Sequence, residues 1–219
     1  SAKDDSVDNF YTEVFGVTRS WDFSNRGIPP RDTLGKYKMV IWHADDRPAQ
    51  VPHSLPNHIN VVKDYMNVGG DFIMSGWRIL KSFAWDENFP LNFPEGSFIN
   101  DYLHIRAADE SPLQGDFTHA DGFRGFTDVQ VDSTKLQEFP FFGKMAQINT
   151  VLQPAGFTEI IYLYGNDLDG LPEFRGHAVG LRYFGTSFDA VILGFPIFFM
   201  EKQGALILGD EVLKSLGYR

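Results

Sequence analysis

The sequence predicts an α/β protein: a three-layer sandwich with a mostly parallel central sheet. Three observations predict it. Helical stripes of apolar residues alternate with short, unbroken apolar runs, the pattern expected where helices cover both faces of a parallel sheet. Glycines and prolines punctuate the boundaries between them. The chain has 219 residues, 43% of them hydrophobic, which suits one domain of this class with a full core.

Taken in order, Val7, Phe10, Tyr11, Val14 and Phe15 follow the i, i+3, i+4 stripe of an amphipathic helix. Ser6 is placed to cap its start and Gly16 to end it. A short strand is predicted over Thr18–Phe23. A buried strand follows over Tyr37–Trp42 and runs into the polar loop His43–Arg47. The spacing of Leu55, Ile59, Val62 and Met66 predicts a helix over Leu55–Asn67, with Ser54 as cap and Gly69-Gly70 as stop. Phe72–Met74 is the next strand. Near the end of the chain, Ile160–Tyr164 reads as a strand. Val179–Phe184 and Asp189–Gly194 read as two strands around Gly185-Thr186. A last helix spans Lys202–Leu216, with Gly217 as its stop.

Residues 84–156 break this grammar. They are rich in Pro, Gly and Phe and only weakly periodic, and they read as an irregular insertion on a single domain spanning 1–219. Inside it, a short helix is predicted at Phe98–Leu103. Short strands are predicted at Asp116–His119, Thr127–Val131 and Gln147–Leu152.

Composition narrows the function classes. The formal charge of −10 and the absence of any Lys/Arg run argue against a nucleic-acid partner. The absence of cysteine removes disulfides, thiolate metal sites and cysteine nucleophiles. No apolar run is long enough for a membrane helix, so no membrane insertion is expected.

Three stretches, "YKMVIWHADD", "YMNVGGDFIMSG" and "FDAVILGFPIFFMEKQGALILGDEVLKSLG", resemble the class I glutamine amidotransferase-like fold, a flavodoxin-like architecture. More narrowly, they resemble its non-catalytic versions, found as modules of large bacterial secreted or surface proteins. A related module is the middle domain of some bacterial β-galactosidases. Active amidotransferases carry a cysteine nucleophile on the turn after a central strand, and Ser75 stands nearest that place. Their oxyanion loop is glycine-rich, whereas His43-Ala44-Asp45-Asp46 stands here, with carboxylates that oppose a developing negative charge. Their His-Pro-Glu is matched by Phe195-Pro196-Ile197. The resemblance therefore implies a pseudoenzyme: a structural or interaction module of an exported bacterial protein, extracellular or periplasmic. Its partners would be other domains of the same polypeptide, a protein partner or further copies of itself. The family opens with a central strand before its first helix, which Ser1–Asp5 does not supply. This implies that a strand comes from outside the chain or that the sheet closes differently.

The alternative is a hydrolase or a carbohydrate-active or carbohydrate-binding domain using the crevice near His43, Asp45 and Ser75. His43 is the best-placed base for Ser75, although Ile73 and Trp77 replace the glycines of a hydrolase elbow. Trp77 and Trp85 with Asp86 are candidate saccharide contacts, alongside the bland reading of Trp77, Phe83, Trp85, Phe89, Phe93, Phe139, Phe141 and Phe142 as a cover or interface. His43 with Asp45 lacks a third metal ligand, and Asn166–Gly170 lacks the terminal acid of a calcium loop. No metal and no cofactor are expected.

Overall fold

The computed structural model describes residues 2–17, 19–46, 50–136, 144–167 and 172–219. Helix α1 (Ala2–Phe15) opens it, with Val7, Phe10, Tyr11, Val14 and Phe15 all buried. Gly16 ends it at φ 64°, its N–H bonded to the Thr12 carbonyl. The helix starts ahead of Ser6, so Ser6 lies within it and does not cap it. Residues 19–22 hold no strand, and Phe23 opens a short helix, α2 (Phe23–Arg26), capped by Asp22. The strand expected over Thr18–Phe23 is thus absent from its described part, and Thr18 itself lies outside the described residues. A second short helix, α3 (Arg31–Leu34), precedes β1 (Met39–Ala44).

The expected helix over Leu55–Asn67 divides in two. Leu55–His58, containing Pro56, is a 3-10 turn, and α4 (Ile59–Asn67) follows with Val62, Tyr65 and Met66 buried. Strand β2 (Asp71–Gly76) comes next, with Phe72, Ile73 and Met74 at most 1% exposed. Burying each such side chain is worth roughly 1.5–3 kcal/mol.

Residues 84–156 are not an irregular insertion. They contribute β3 (Leu91–Asn92), α5 (Phe98–Asp101), β4 (Ile105–Glu110), β5 (Phe117–Gly122), β6 (Val129–Gln130) and β7 (Asn149–Pro154). The chain closes with β8 (Thr158–Asn166), β9 (Ala178–Phe184), β10 (Asp189–Leu193) and α6 (Lys202–Ser215).

All ten strands belong to one sheet, in the order β1-β2-β10-β9-β7-β4-β3, with β8, β5 and β6 branching from β9. Among the described residues, only β1/β2 and β2/β10 pair in parallel, and every other strand pairing is antiparallel. This overturns the flavodoxin-like, mostly parallel sandwich expected from the sequence. The reversal begins at the turn after β9, where the Gly185 N–H bonds the Phe188 carbonyl and sends β10 back along β9. An antiparallel strand buried on both faces carries the same unbroken apolar run as a parallel one, so the sequence pattern does not separate them.

Two apolar clusters cover the sheet. α1 and α6 pack over Ile73, Val191 and Leu193 on one face, while α4 and α5 pack over Phe72, Met74 and Ile192 on the other. Among the described residues, strand β1 has a sheet neighbour on one side only and forms an edge of the sheet. Among the described residues, no helix is long and apolar enough to cross a membrane.

Candidate functional site

The predicted site residues converge at the ends of β1 and β2. The strands run in register, which puts His43 beside Ser75 and Ala44 beside Gly76. Gly76 sits at φ 141°, where a Cβ would stand 2.8 Å from the Ala44 nitrogen, so this close approach of backbones requires glycine. Helix α1 crosses above the strand ends and brings in two further groups, Asp8 and Tyr11. The 3-10 turn Ile197–Phe199 closes the far side.

The polar groups form two sets. In the first, the Tyr11 hydroxyl donates to Asp45 Oδ2 at 2.9 Å, and the Phe198 N–H donates to the same oxygen at 2.8 Å. The Tyr11 oxygen also meets Ser75 Oγ. Since the phenol has one proton and spends it on Asp45, Ser75 is the donor in that contact. Proton donation therefore runs from Ser75 to Tyr11 to Asp45. Ser75 and Asp45 are 0% exposed and Tyr11 is 3% exposed. Asp45 Oδ1 has no hydrogen-bond partner among the described residues. Burial pushes the Asp45 carboxyl up to about 6, against the opposing pull of His43 and the two bonds it accepts. Burial and the neighbouring Asp45 charge also hold the Tyr11 phenol well above its usual range.

In the second set, His43 Nε2 lies 3.1 Å from Asp8 Oδ1, and Nδ1 lies 4.0 Å from Asp46 Oδ1. The imidazole stacks on the Tyr11 ring with centroids 4.4 Å apart. Burial pulls its pKa down, but the hydrogen bond to Asp8 and the charges of Asp45, Asp46 and Asp8 outweigh it, so the net shift is upward. His43 and Ser75 are sheet neighbours, yet no hydrogen bond joins them: the serine faces Tyr11 and the histidine faces two carboxylates. Ser75 therefore lacks the base that a nucleophilic serine needs. The Phe198 amide, a candidate anion donor at this end of the strands, is spent on Asp45. Among the described residues, no three His, Asp or Glu side chains are grouped to hold a metal ion.

The other candidates lie apart from this cluster. Trp77 is 8% exposed, donates to the Ala146 carbonyl at 3.0 Å and packs on Phe199, so it belongs to the core. Trp85 has the Arg78 guanidinium over its ring at 4.6 Å, and that guanidinium forks onto Glu110 at 2.9 and 3.0 Å. Asp86 is exposed. Asn166 bonds Asp116 at 2.7 Å, and Asp167 pairs with Lys144 at 2.9 Å. The rest of the Asn166–Gly170 stretch, together with Arg47, Phe139, Phe141 and Phe142, lies outside the described residues.

Sequence reasoning missed Asp8, Tyr11 and Phe198. Asp8 and Tyr11 are i, i+3 neighbours on α1 and so share a face, but Tyr11 also completes the apolar stripe and reads there as core alone. It also missed a groove of about 820 Å³ along the free edge of β1, lined by Met39–His43, Phe15, Trp21, Phe23 and Leu34. His43, Asp8 and Asp46 stand at one end of it.

No protein-family model matches the chain, and no curated protein matches its sequence. Solved structures do match. A polyextremophilic β-galactosidase from the Antarctic haloarchaeon Halorubrum lacusprofundi aligns with 97% of this chain and 26% of its own, at a TM-score of 0.51 and 19% identity. A cold-adapted β-galactosidase from Rahnella sp. R3 aligns with 98% of this chain and 27% of its own, at a TM-score of 0.53 and 12% identity. The chain thus spans about a quarter of the length of these neighbours. The amidotransferase-like, flavodoxin-like assignment gives way to this likeness and to the mixed sheet. At such identities the kinship is one of fold: this chain has the architecture of a small domain within β-galactosidase chains.

Proposed function

We propose that this chain is a domain of a carbohydrate-active protein and does not itself break glycosidic bonds. The observation that carries the second half is the complete burial of Ser75 and Asp45, with the serine proton, the tyrosine proton and the Phe198 amide all committed within one cluster. Glycoside cleavage needs two carboxyl groups facing a substrate across an open gap. The accessible acids here, Asp8 and Asp46, instead flank a single imidazole. The fold likeness to β-galactosidase chains supports the first half. The buried cluster then ties α1 and the Ile197–Phe199 turn to the ends of β1 and β2, and the groove beside β1 is the surface left for work.

The test has two arms. The purified chain is incubated with nitrophenyl β-galactoside, and release no faster than in buffer is expected. Turnover that Ser75→Ala or Asp46→Asn abolishes refutes the non-hydrolytic reading. The natural polypeptide that carries the chain is then assayed on β-linked oligosaccharides, by turnover and by retardation in saccharide-containing gels. Action on or retention by at least one is expected, and neither on any of them overturns the carbohydrate assignment.

A further inference from the structure

We propose that the free edge of β1 is a docking groove for an extended peptide segment, apolar along its length and acidic at the end that lies beside Met39, which adds to the sheet as a further strand. The first support is the backbone. The Asp71 N–H bonds the Lys38 carbonyl at 2.8 Å, which sets the phase of the β1/β2 ladder. In a parallel ladder, alternate residues turn both N–H and C=O to the same neighbour. Lys38, Val40, Trp42 and Ala44 therefore face β2, and the N–H and C=O groups of Met39, Ile41 and His43 face the groove. No backbone partner for those three residues lies among the described residues.

The second support is the shape and chemistry of the walls. Met39 and Ile41 pack with the cluster that includes Phe15 and Leu213, while Val40 and Trp42 pack with the cluster that includes Leu34. Both covering layers continue past the sheet edge and line the groove, so a strand laid there is buried on both faces. Such a strand reads as an unbroken apolar run, not an alternating one. A six-residue stretch of β1 gives a seat about 20 Å long. β1 carries none of the devices that blunt an exposed edge: no proline, no bulge and no internal lysine. Meanwhile β2, one strand in, is almost wholly buried, and β1 is only half-buried.

The third support is charge. Arg19, Arg26, Lys36, Lys38 and Arg219 line this groove against Asp8, Asp22 and Asp46, a local excess of cations on a chain of net charge −10. Lys36 and Lys38 lead into Met39, and Arg219 follows Tyr218, which bonds the Asp71 side chain opposite Met39. Asp8 and Asp46 stand with His43 at the other end, so a segment acidic at its Met39 end alone is complementary to the groove.

The probe is whichever of two short fluorescein-labelled peptides, a continuous Val/Ile run preceded or followed by aspartates, binds the more tightly, titrated into the purified chain by anisotropy and followed by amide hydrogen exchange. Saturable binding is expected, with slowed exchange at Met39, Ile41 and His43. Replacing the flanking aspartates by lysine is expected to weaken binding by about ten-fold or more at low salt. Ile41→Pro removes an N–H that faces the groove and leaves the β1/β2 ladder intact. It is expected to abolish binding while the near-UV spectrum is retained. Should that variant misfold, Ile41→Lys gives the same readout through the apolar wall. Four results overturn the proposal: no slowed exchange along β1, binding insensitive to both variants, a chain that self-associates through this edge and excludes the peptide, or a groove that takes β-linked oligosaccharides in its place.

Discussion

Replacing Asp45 by asparagine tests the buried cluster most directly. The carboxyl is raised from 3.8 to about 6 by burial. Between those values the folded state holds a proton that the unfolded state has released, so stability falls as pH rises through the window and levels off above it. At about 1.4 kcal/mol per pH unit across the window, the group makes folding about 2.5 kcal/mol less favourable at pH 7.5 than at pH 4, where the unfolded carboxyl still holds part of its proton. An asparagine side chain carries no charge, so the Asp45→Asn variant loses this slope. The new amide oxygen still accepts from Tyr11 and Phe198, but the NH₂ takes the place of Oδ1, which has no partner among the described residues, at a cost of about 1–3 kcal/mol at every pH. The wild type is therefore expected to be the more stable protein near pH 4.5, with the gap closing or reversing by pH 7.5. Urea denaturation of both proteins, followed by tryptophan fluorescence across that range, supplies the difference, and the subtraction cancels the other carboxylates. A stability difference that does not change with pH, or one that widens toward pH 7.5, refutes the argument.

Two further outcomes are expected. His43 should titrate above 6.5 by NMR, and Asp8→Asn should bring it down. The stabilisation His43 gives is complete below its unfolded pKa and is lost as pH rises through the folded one. Arg78→Ala removes the forked partner of the half-buried Glu110 carboxylate, leaving it the Asn149 amide, and is expected to cost about 1–3 kcal/mol, or roughly 2–4 °C in melting temperature for each kcal/mol, with partial recovery when Glu110→Gln is added.

The helices were legible because burial imposes a 3.6-residue period that survives in the sequence. The stripe from Val7 to Phe15 and the last helix stand within a residue or two of their places at the C-terminal end. The central strands were legible as apolar runs, but their directions were not, since an apolar run has no polarity along the chain. β4 went unseen because "IRAADE" is half polar, and its burial alternates only at its start. At the site, Ser75, His43 and Asp45 were legible as polar residues ending apolar strands. Their partner Tyr11 was not, because one side chain serves both the core and the hydrogen-bond chain. The groove was invisible for a different reason: an edge is defined by what fails to pair with it, and no local pattern records that.

The position of β10 carries a consequence for how the molecule is made. This late strand lies between β2 and β9, and its first residue, Asp189, donates its N–H to an acceptor on Asp71, 118 residues earlier. A ribosome must therefore deliver most of these 219 residues before β2 gains its second neighbour. Until then, "DFIMSG" waits as a sticky, half-paired ribbon, and loop closure over that span is slow. Biogenesis thus puts its period of greatest aggregation hazard before the last helix emerges, which is when a chaperone has most to protect.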